Sequence, residues 1–266
     1  MQEKEQGEKV PQRYPFIAVV GPVGIGKTTF TELLTNGVNI TQLQEPYKEN
    51  PYLNNFYTGN PADHSFDCQM FFLANKGVQT GRVRDLTKNG PVIQDPGVEM
   101  DFMIAEAQWK MGWMYDEEHL AYVSSYNNVF KDTLNPDVYI ALKASENTVI
   151  ERIVKRGRSM ELKMLEKYPE YFPTLVWEFD IWLEKKLKDR NSWITVIDAD
   201  KFDIAKGGEE KTNVVRETIN RSGYFISAPT QRNMTGSDGT KLIMPSFFRT
   251  TPHFIDHIPG GGLFSK

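Results

Sequence analysis

The chain has 266 residues, with 31 Lys and Arg against 35 Asp and Glu, 39% hydrophobic residues and a single cysteine. That length suits one large α/β domain or two small ones and buries a sizeable core without covalent staples; Cys68 has no partner within the chain, which excludes a disulfide scaffold. With 25% charged and 12% aromatic residues and a net charge of −4, the composition is globular and exerts no global pull on nucleic acid or anionic membrane.

The leader, residues 1–13, mixes both charge signs and lacks the apolar run of a secretory signal. No stretch reaches the run of about 18 apolar residues that spans a bilayer, so a cytoplasmic protein is expected. The first apolar run, Tyr14 to Val20, is stopped by Gly21-Pro22 and reads as a buried strand. A glycine-rich turn follows, and Thr28 to Leu34 reads as a helix. Strand character recurs weakly near Val38–Leu43, then at Pro91–Ile93, Val138–Leu142 and Trp193–Ile197. Between these runs, Met100, Met103, Ile104, Ala107, Met111 and Met114 fall on one helical face. Val149, Ile150, Ile153 and Val154 do the same behind a cap at Ser145, and Leu175, Val176, Phe179, Trp182 and Leu183 make a third stripe.

Strands alternating with helices imply a five-stranded parallel sheet with helices on both faces, where ligands sit at the carboxyl ends of the strands. After about Arg221 the chain becomes dense in Gly, Pro, Ser and Thr, yet carries Phe225, Phe247, Phe248, Phe254 and Phe264, too much aromatic surface for a solvated linker. The expected layout is a charged leader at 1–13, one α/β domain at 14–221, and an arm at 222–266 that packs on the body or on a second subunit.

Gly21-Pro-Val-Gly24-Ile-Gly26-Lys27-Thr28 fits G-x-x-x-x-G-K-[ST] between a strand and a helix, the context that gives this motif its meaning. Its glycines let successive N–H groups and the positive helix end converge on phosphate oxygens, with Thr29 next in the first turn. Lys27 is expected to reach the β- and γ-phosphates of ATP or another nucleoside triphosphate, and Thr28 to hold Mg²⁺. The expected architecture is the P-loop NTPase fold. Asp95, at the end of the Pro91 strand, is the second candidate metal ligand, although Asp95-Pro96-Gly97 is good turn chemistry by itself. Glu45, followed by Pro46, leaves a carboxylate at the edge of the sheet.

Beyond these motifs, Glu45-Pro46, Asn50 to Tyr57, Phe66 to Lys76 and Arg156-Gly157-Arg158-Ser159-Met160-Glu161 resemble the deoxynucleoside kinase family, in order from about residue 15 to residue 198. The resemblance implies that Glu45 activates the acceptor 5′-hydroxyl, that Tyr57 and Glu161 grip the sugar 3′-hydroxyl, and that Gln69 reads the base edge. It implies further that Lys76 and Asp101 belong to the base-reading set, and that Arg152, Arg156 and Arg158 form an Arg-rich lid over the donor phosphates. Arg152 and Arg156, four apart, share a helical face, and Gly157 allows the chain to turn Arg158 inward. Of Phe71 and Phe72, one is expected in the core and one on the pocket. A purine or cytosine deoxynucleoside is the expected substrate, and a homodimer is implied by the resemblance only.

The family's acid-Arg-Ser signature is replaced here by Asp95-Pro96-Gly97, which removes a cation where negative charge must be offset. Arg82, Arg84 and Lys76 are the candidate substitutes. The break leaves open a kinase with an altered acceptor, such as a nucleoside monophosphate or a hydroxyl of a modified nucleotide or base, and a catalytically silent nucleotide-binding scaffold. A nucleic-acid acceptor is disfavoured by the acidic balance. The four histidines show no metal-ligand spacing with Cys68.

Overall fold

Every residue of Phe16–Val20 is buried, because this strand lies at the centre of a sheet covered on both faces. The computed structural model describes residues 12–36, 39–189, 193–201, 232–235 and 241–244. The strands are β1 (Gln12–Arg13), β2 (Phe16–Val20), β3 (Thr41–Gln44), β4 (Val92–Asp95), β5 (Val138–Lys143), β6 (Trp193–Asp198), β7 (Arg232–Thr235) and β8 (Lys241–Met244). The helices are α1 (Lys27–Thr35), α2 (Leu53–Thr58), α3 (Ser65–Gly81), α4 (Val83–Leu86), α5 (Val98–Lys110), α6 (Asp116–Phe130), α7 (Glu146–Arg156), α8 (Ser159–Lys167) and α9 (Tyr171–Lys188).

Five strands form one parallel sheet in the order β3-β4-β2-β5-β6. Side chains alternate across it. Ile17 and Val19 join Ile93, Ile140 and Leu142 against α1 and α7, whereas Ala18 and Val20 join Tyr139 and Ala141 against Met100 and Met103 of α5 and Phe179 and Leu183 of α9. This is the five-stranded P-loop NTPase architecture read from the sequence. β3 was the weakest sequence signal because it is an edge strand, largely exposed, with β4 as its one neighbour in the sheet.

Two of the apolar stripes need correction. α5 ends at Lys110, and Gly112 at φ +70° turns the chain, so Met111 caps the helix and Met114 packs with Tyr122 in a separate cluster. On α7, Val149 and Ile153 are buried but Val154 is 53% exposed, since its position lies beyond the narrow arc that faces the sheet. The cap at Ser145 is present, its hydroxyl accepting from the Thr148 N–H, and the α9 stripe packs as expected.

The two ends of the described chain meet. β8 pairs in parallel with β1 and antiparallel with β7, so the arm contributes strands that no periodicity announced. β1 is tied to the body by Arg13, whose guanidinium donates to both Asp137 oxygens at 2.6 and 2.9 Å while the Phe16 N–H donates to Asp137 Oδ2. The arm's phenylalanines and His253 and His257 lie outside the described residues. Among those described, no helix is long and apolar enough to cross a membrane.

Candidate active site

The carboxyl ends of β2 and β4 open on a cavity of about 620 Å³, as expected for a doubly wound sheet. The phosphate loop forms one wall. Gly24 and Gly26 take φ of +89° and +103°, a region that L side chains avoid, and a Cβ on Gly24 would fall 2.6 Å from Ile153 Cγ1. Lys27 folds back on the loop, donating from Nζ to the Gly21 and Pro22 carbonyls at 2.7 and 3.0 Å. Burial pushes its ammonium down to about 8, while Asp95 and Glu45 pull it upward. Thr28 and Thr29 also line the cavity.

Asp95 ends β4 beside this loop. Burial raises its carboxyl above the usual range against the pull of Lys27 and a hydrogen bond from Thr28. Its Oδ1 is buried without a hydrogen-bond partner. A hydroxyl and an unsatisfied carboxylate oxygen fit a hard divalent cation such as Mg²⁺. Among the described residues no group of three His, Cys, Asp or Glu could hold a metal, so such a cation would complete its shell with phosphate and water.

The arginines behave differently from one another. Arg152 donates to the Ile25 and Ala199 carbonyls, both at 2.6 Å, and so braces the phosphate loop against the end of β6. Arg156 pairs with Glu161 at 2.6 Å, and Arg158 lies over the Tyr47 ring while staying 3.6 Å from Glu161. Gly157 makes this possible, capping α7 at φ +70° so that the chain reverses into α8. Glu161 itself is 2% exposed. Tyr57 lies near it, and burial lifts the Tyr57 phenol well above its ordinary range.

Glu45, Tyr57, Gln69 and Glu161 all line the cavity, which brings together residues from four separate segments. Lys76 and Asp101 do not line it, contrary to their expected contact with the base. Both are 1% exposed. Lys76 Nζ donates to the Pro96 carbonyl at 2.9 Å, with Glu45 Oε1 at 3.4 Å and Asp101 Oδ2 at 3.9 Å. Burial works against the ammonium, but Asp101, Glu45 and Asp95 together hold it above its ordinary value; burial pushes Asp101 up to about 7. The long stem of Lys76 lets its charge reach behind the cavity wall rather than into the cavity. Arg82 and Arg84 are exposed and away from the cavity, which removes them as substitutes at Pro96.

Packing is tight at Gly97, the last residue of the broken signature. Its N–H donates to the Val19 carbonyl at 2.9 Å, and a Cβ there would meet Ala18 Cβ at 2.9 Å. Phe72 is both a core residue and part of the cavity wall, whereas Phe71 only packs on the core.

Sequence reading missed Gln108 and Tyr47. Gln108 is fully buried on the cavity wall, beside Tyr171. The signal was present: Asp101, Ile104 and Gln108 stand at steps of three and four, which puts two polar side chains on one helical face. Tyr47 had no such signal, because a short 3-10 turn after Pro46 places it.

A parallel sheet of this order, with a glycine phosphate loop opening α1 and a carboxylate ending the adjacent strand, defines a P-loop nucleotide-binding phosphotransferase. The chain belongs to the deoxynucleoside kinase family, whose match spans residues 17–222. It is a nucleoside kinase that acts with a nucleoside triphosphate donor. It is 32% identical over 188 residues to the deoxyguanosine kinase of Bacillus subtilis (strain 168), covering 70% of this chain and 86% of that protein. The deoxyadenosine/deoxycytidine kinase of the same organism is 30% identical over 161 residues, covering 59% and 73%. Among solved structures, deoxyadenosine kinase from M. mycoides with bound dATP superposes with a TM-score of 0.66 at 25% identity, covering 78% of this chain and all of that one.

Proposed function

We propose that this kinase transfers the γ-phosphoryl group of ATP to the 5′-hydroxyl of a deoxynucleoside carrying a purine or cytosine base. The observation that carries the reading is a single cavity lined by the phosphate loop, the Glu45 carboxylate and a buried Gln69 whose Oε1 has no partner. An orphaned amide oxygen on that wall suits a base edge that donates a hydrogen bond; thymine donates one as well, from N3–H, so the preference for a purine or cytosine rests on the resemblance. The names of the bacterial relatives, deoxyguanosine and deoxyadenosine/deoxycytidine kinases, agree with that class.

In this reading Lys27 exchanges its two loop carbonyls for phosphate oxygens, and the loop N–H groups with the α1 terminus hold the donor. Arg156 and Arg158 swing from Glu161 and Tyr47 onto the donor phosphates, closing the lid, and Arg152 keeps the loop in register. Glu161, released, joins Tyr57 on the sugar 3′-hydroxyl. Glu45 takes the proton of the 5′-hydroxyl as that oxygen bonds to the γ-phosphorus, while the bond to the β,γ-bridging oxygen breaks and the diphosphate leaves. Thr28 and Asp95 would hold Mg²⁺, whose charge neutralises the phosphates. Residues 14–221 form the catalytic domain, and 222–266 an arm outside it. A homodimer is part of the proposal, with Val78 of α3 and Leu120 of α6, 69% and 67% exposed, as apolar surface for it.

The test is transfer of label from γ-tagged ATP across a panel of deoxynucleosides and monophosphates. Purine or cytosine deoxynucleosides should be labelled, and Glu45→Gln and Lys27→Ala should abolish the labelling. Labelling of monophosphates alone, or of nothing despite ATP binding, would overturn it.

A further inference from the structure

From the position of Lys76 we infer that it is the positioning residue that holds Glu45 at the reacting end, supplying from α3 the positive charge missing at Pro96. This deepens the kinase reading above and rests on it.

The site is crowded with carboxylates: Glu45, Asp95, Glu99 and Asp101 all act electrostatically on one another or on the two buried ammonium groups, Lys27 and Lys76. Lys27 is committed to the phosphate loop through the Gly21 and Pro22 carbonyls. Lys76 therefore carries the positive charge next to Glu45, with its ammonium within 4 Å of three oxygens: the Pro96 carbonyl at 2.9 Å, Glu45 Oε1 at 3.4 Å and Asp101 Oδ2 at 3.9 Å. Each contact has a separate consequence. Asp101 makes burial of the ammonium tolerable, since an isolated buried charge is prohibitively costly. The Pro96 carbonyl fixes its height relative to the turn after β4. The remaining direction points at Glu45, which is 24% exposed at its side chain, lines the cavity and also hydrogen-bonds to Asp101.

Lys76 is absent from the cavity lining, so it acts through Glu45 rather than on the nucleoside. It orients the carboxylate that receives the hydroxyl proton, and its charge lowers the cost of gathering negative charge between Glu45 and the transferred phosphoryl group. A substrate contact would show itself in KM. A positioning role shows itself in kcat.

The experiment compares wild type, Lys76→Met, Lys76→Arg and the pair Lys76→Met with Asp101→Asn, using the best deoxynucleoside from the labelling panel and ATP as donor. Lys76→Met should lower kcat by about 10²- to 10³-fold, the loss typical of one well-placed electrostatic donor, with nucleoside KM and ATP affinity little changed. Lys76→Arg, which keeps the charge, should recover much of it. The double variant removes charge from both partners, so it answers the question where Lys76→Met fails to fold, and it should show the same loss in kcat. Wild-type kcat in a folded variant lacking Lys76, or a loss confined to KM, would overturn the inference. Failure of wild type itself to label any nucleoside would overturn the kinase reading and this inference together, an outcome distinct from either.

Discussion

Arg156 and Glu161 form a two-point ion pair across Gly157, with Arg156 Nη2 2.6 Å from Glu161 Oε1 and Nε donating to Oε2 at 3.0 Å. The arginine proposed for the donor phosphates and the carboxylate proposed for the sugar thus neutralise each other. Glu161→Gln separates the two roles. Charge-assisted hydrogen bonds contribute about 1.5–3 kcal/mol, so kcat/KM for the nucleoside should fall roughly 10- to 100-fold. ATP should bind more tightly in a direct titration, because Arg156 no longer leaves a carboxylate to reach phosphate. Weaker ATP binding would show that the pair organises the lid instead of competing with it.

Lys27 gives a pH dependence of defined sign. Its folded-state value of about 8 lies below the ordinary 10.5, chiefly through burial. Between those values the unfolded chain holds a proton that the folded chain has released, so this residue's contribution raises stability as pH rises through that window. Below the window the buried charge costs its full amount. Lys27→Met should be more stable than wild type near neutral pH, and that difference should shrink steadily towards 10.5. Paired urea denaturation curves across the range measure it. A difference that does not vary with pH would sink the idea.

The phosphate loop glycines should differ in cost. Both Gly24 and Gly26 have positive φ, but a Cβ at Gly26 meets nothing within 4 Å whereas one at Gly24 collides with Ile153. Gly26→Ala should cost about 1–2 kcal/mol of backbone strain, and Gly24→Ala a further 1–3 kcal/mol, roughly, for overpacking against α7. Thermal denaturation without nucleotide orders the two directly.

Asp137 anchors the chain entry. It accepts two bonds from Arg13, which is 4% exposed, and one from the Phe16 N–H. Asp137→Ala should destabilise the fold by about 3–5 kcal/mol, mostly through the buried guanidinium it strands. Asp137→Ala with Arg13→Met should recover part of that loss in chemical denaturation.

The elements legible in the sequence were those whose signal is local. β2, β5 and the α9 stripe are apolar runs or periods that need no partner to be recognised, and Gly21 to Thr28 announces itself by spacing. Gln108 and Tyr47 were missed for opposite reasons. Gln108 sat inside a helix read for its apolar face, and Tyr47 depends on a turn whose geometry only the surrounding chain sets. The exposed Val154 shows that a correct helical face in sequence still leaves the width of the buried arc to the neighbouring elements.

The division is clearest around Pro96. The sequence by itself determined the family, the sheet, the phosphate loop and the loss of a cation after β4, because spacing and hydrophobic period are properties of consecutive residues. It placed Lys76 with the base-reading residues and also, beside Arg82 and Arg84, among the candidate substitutes for that cation. Only the tertiary structure decided that Lys76 sits behind the cavity wall, against Glu45 and the Pro96 carbonyl, and that Arg152 braces the loop. Where a charged side chain settles is fixed by the oxygens that other segments bring within reach and by the water those segments exclude, and neither is encoded near the residue itself.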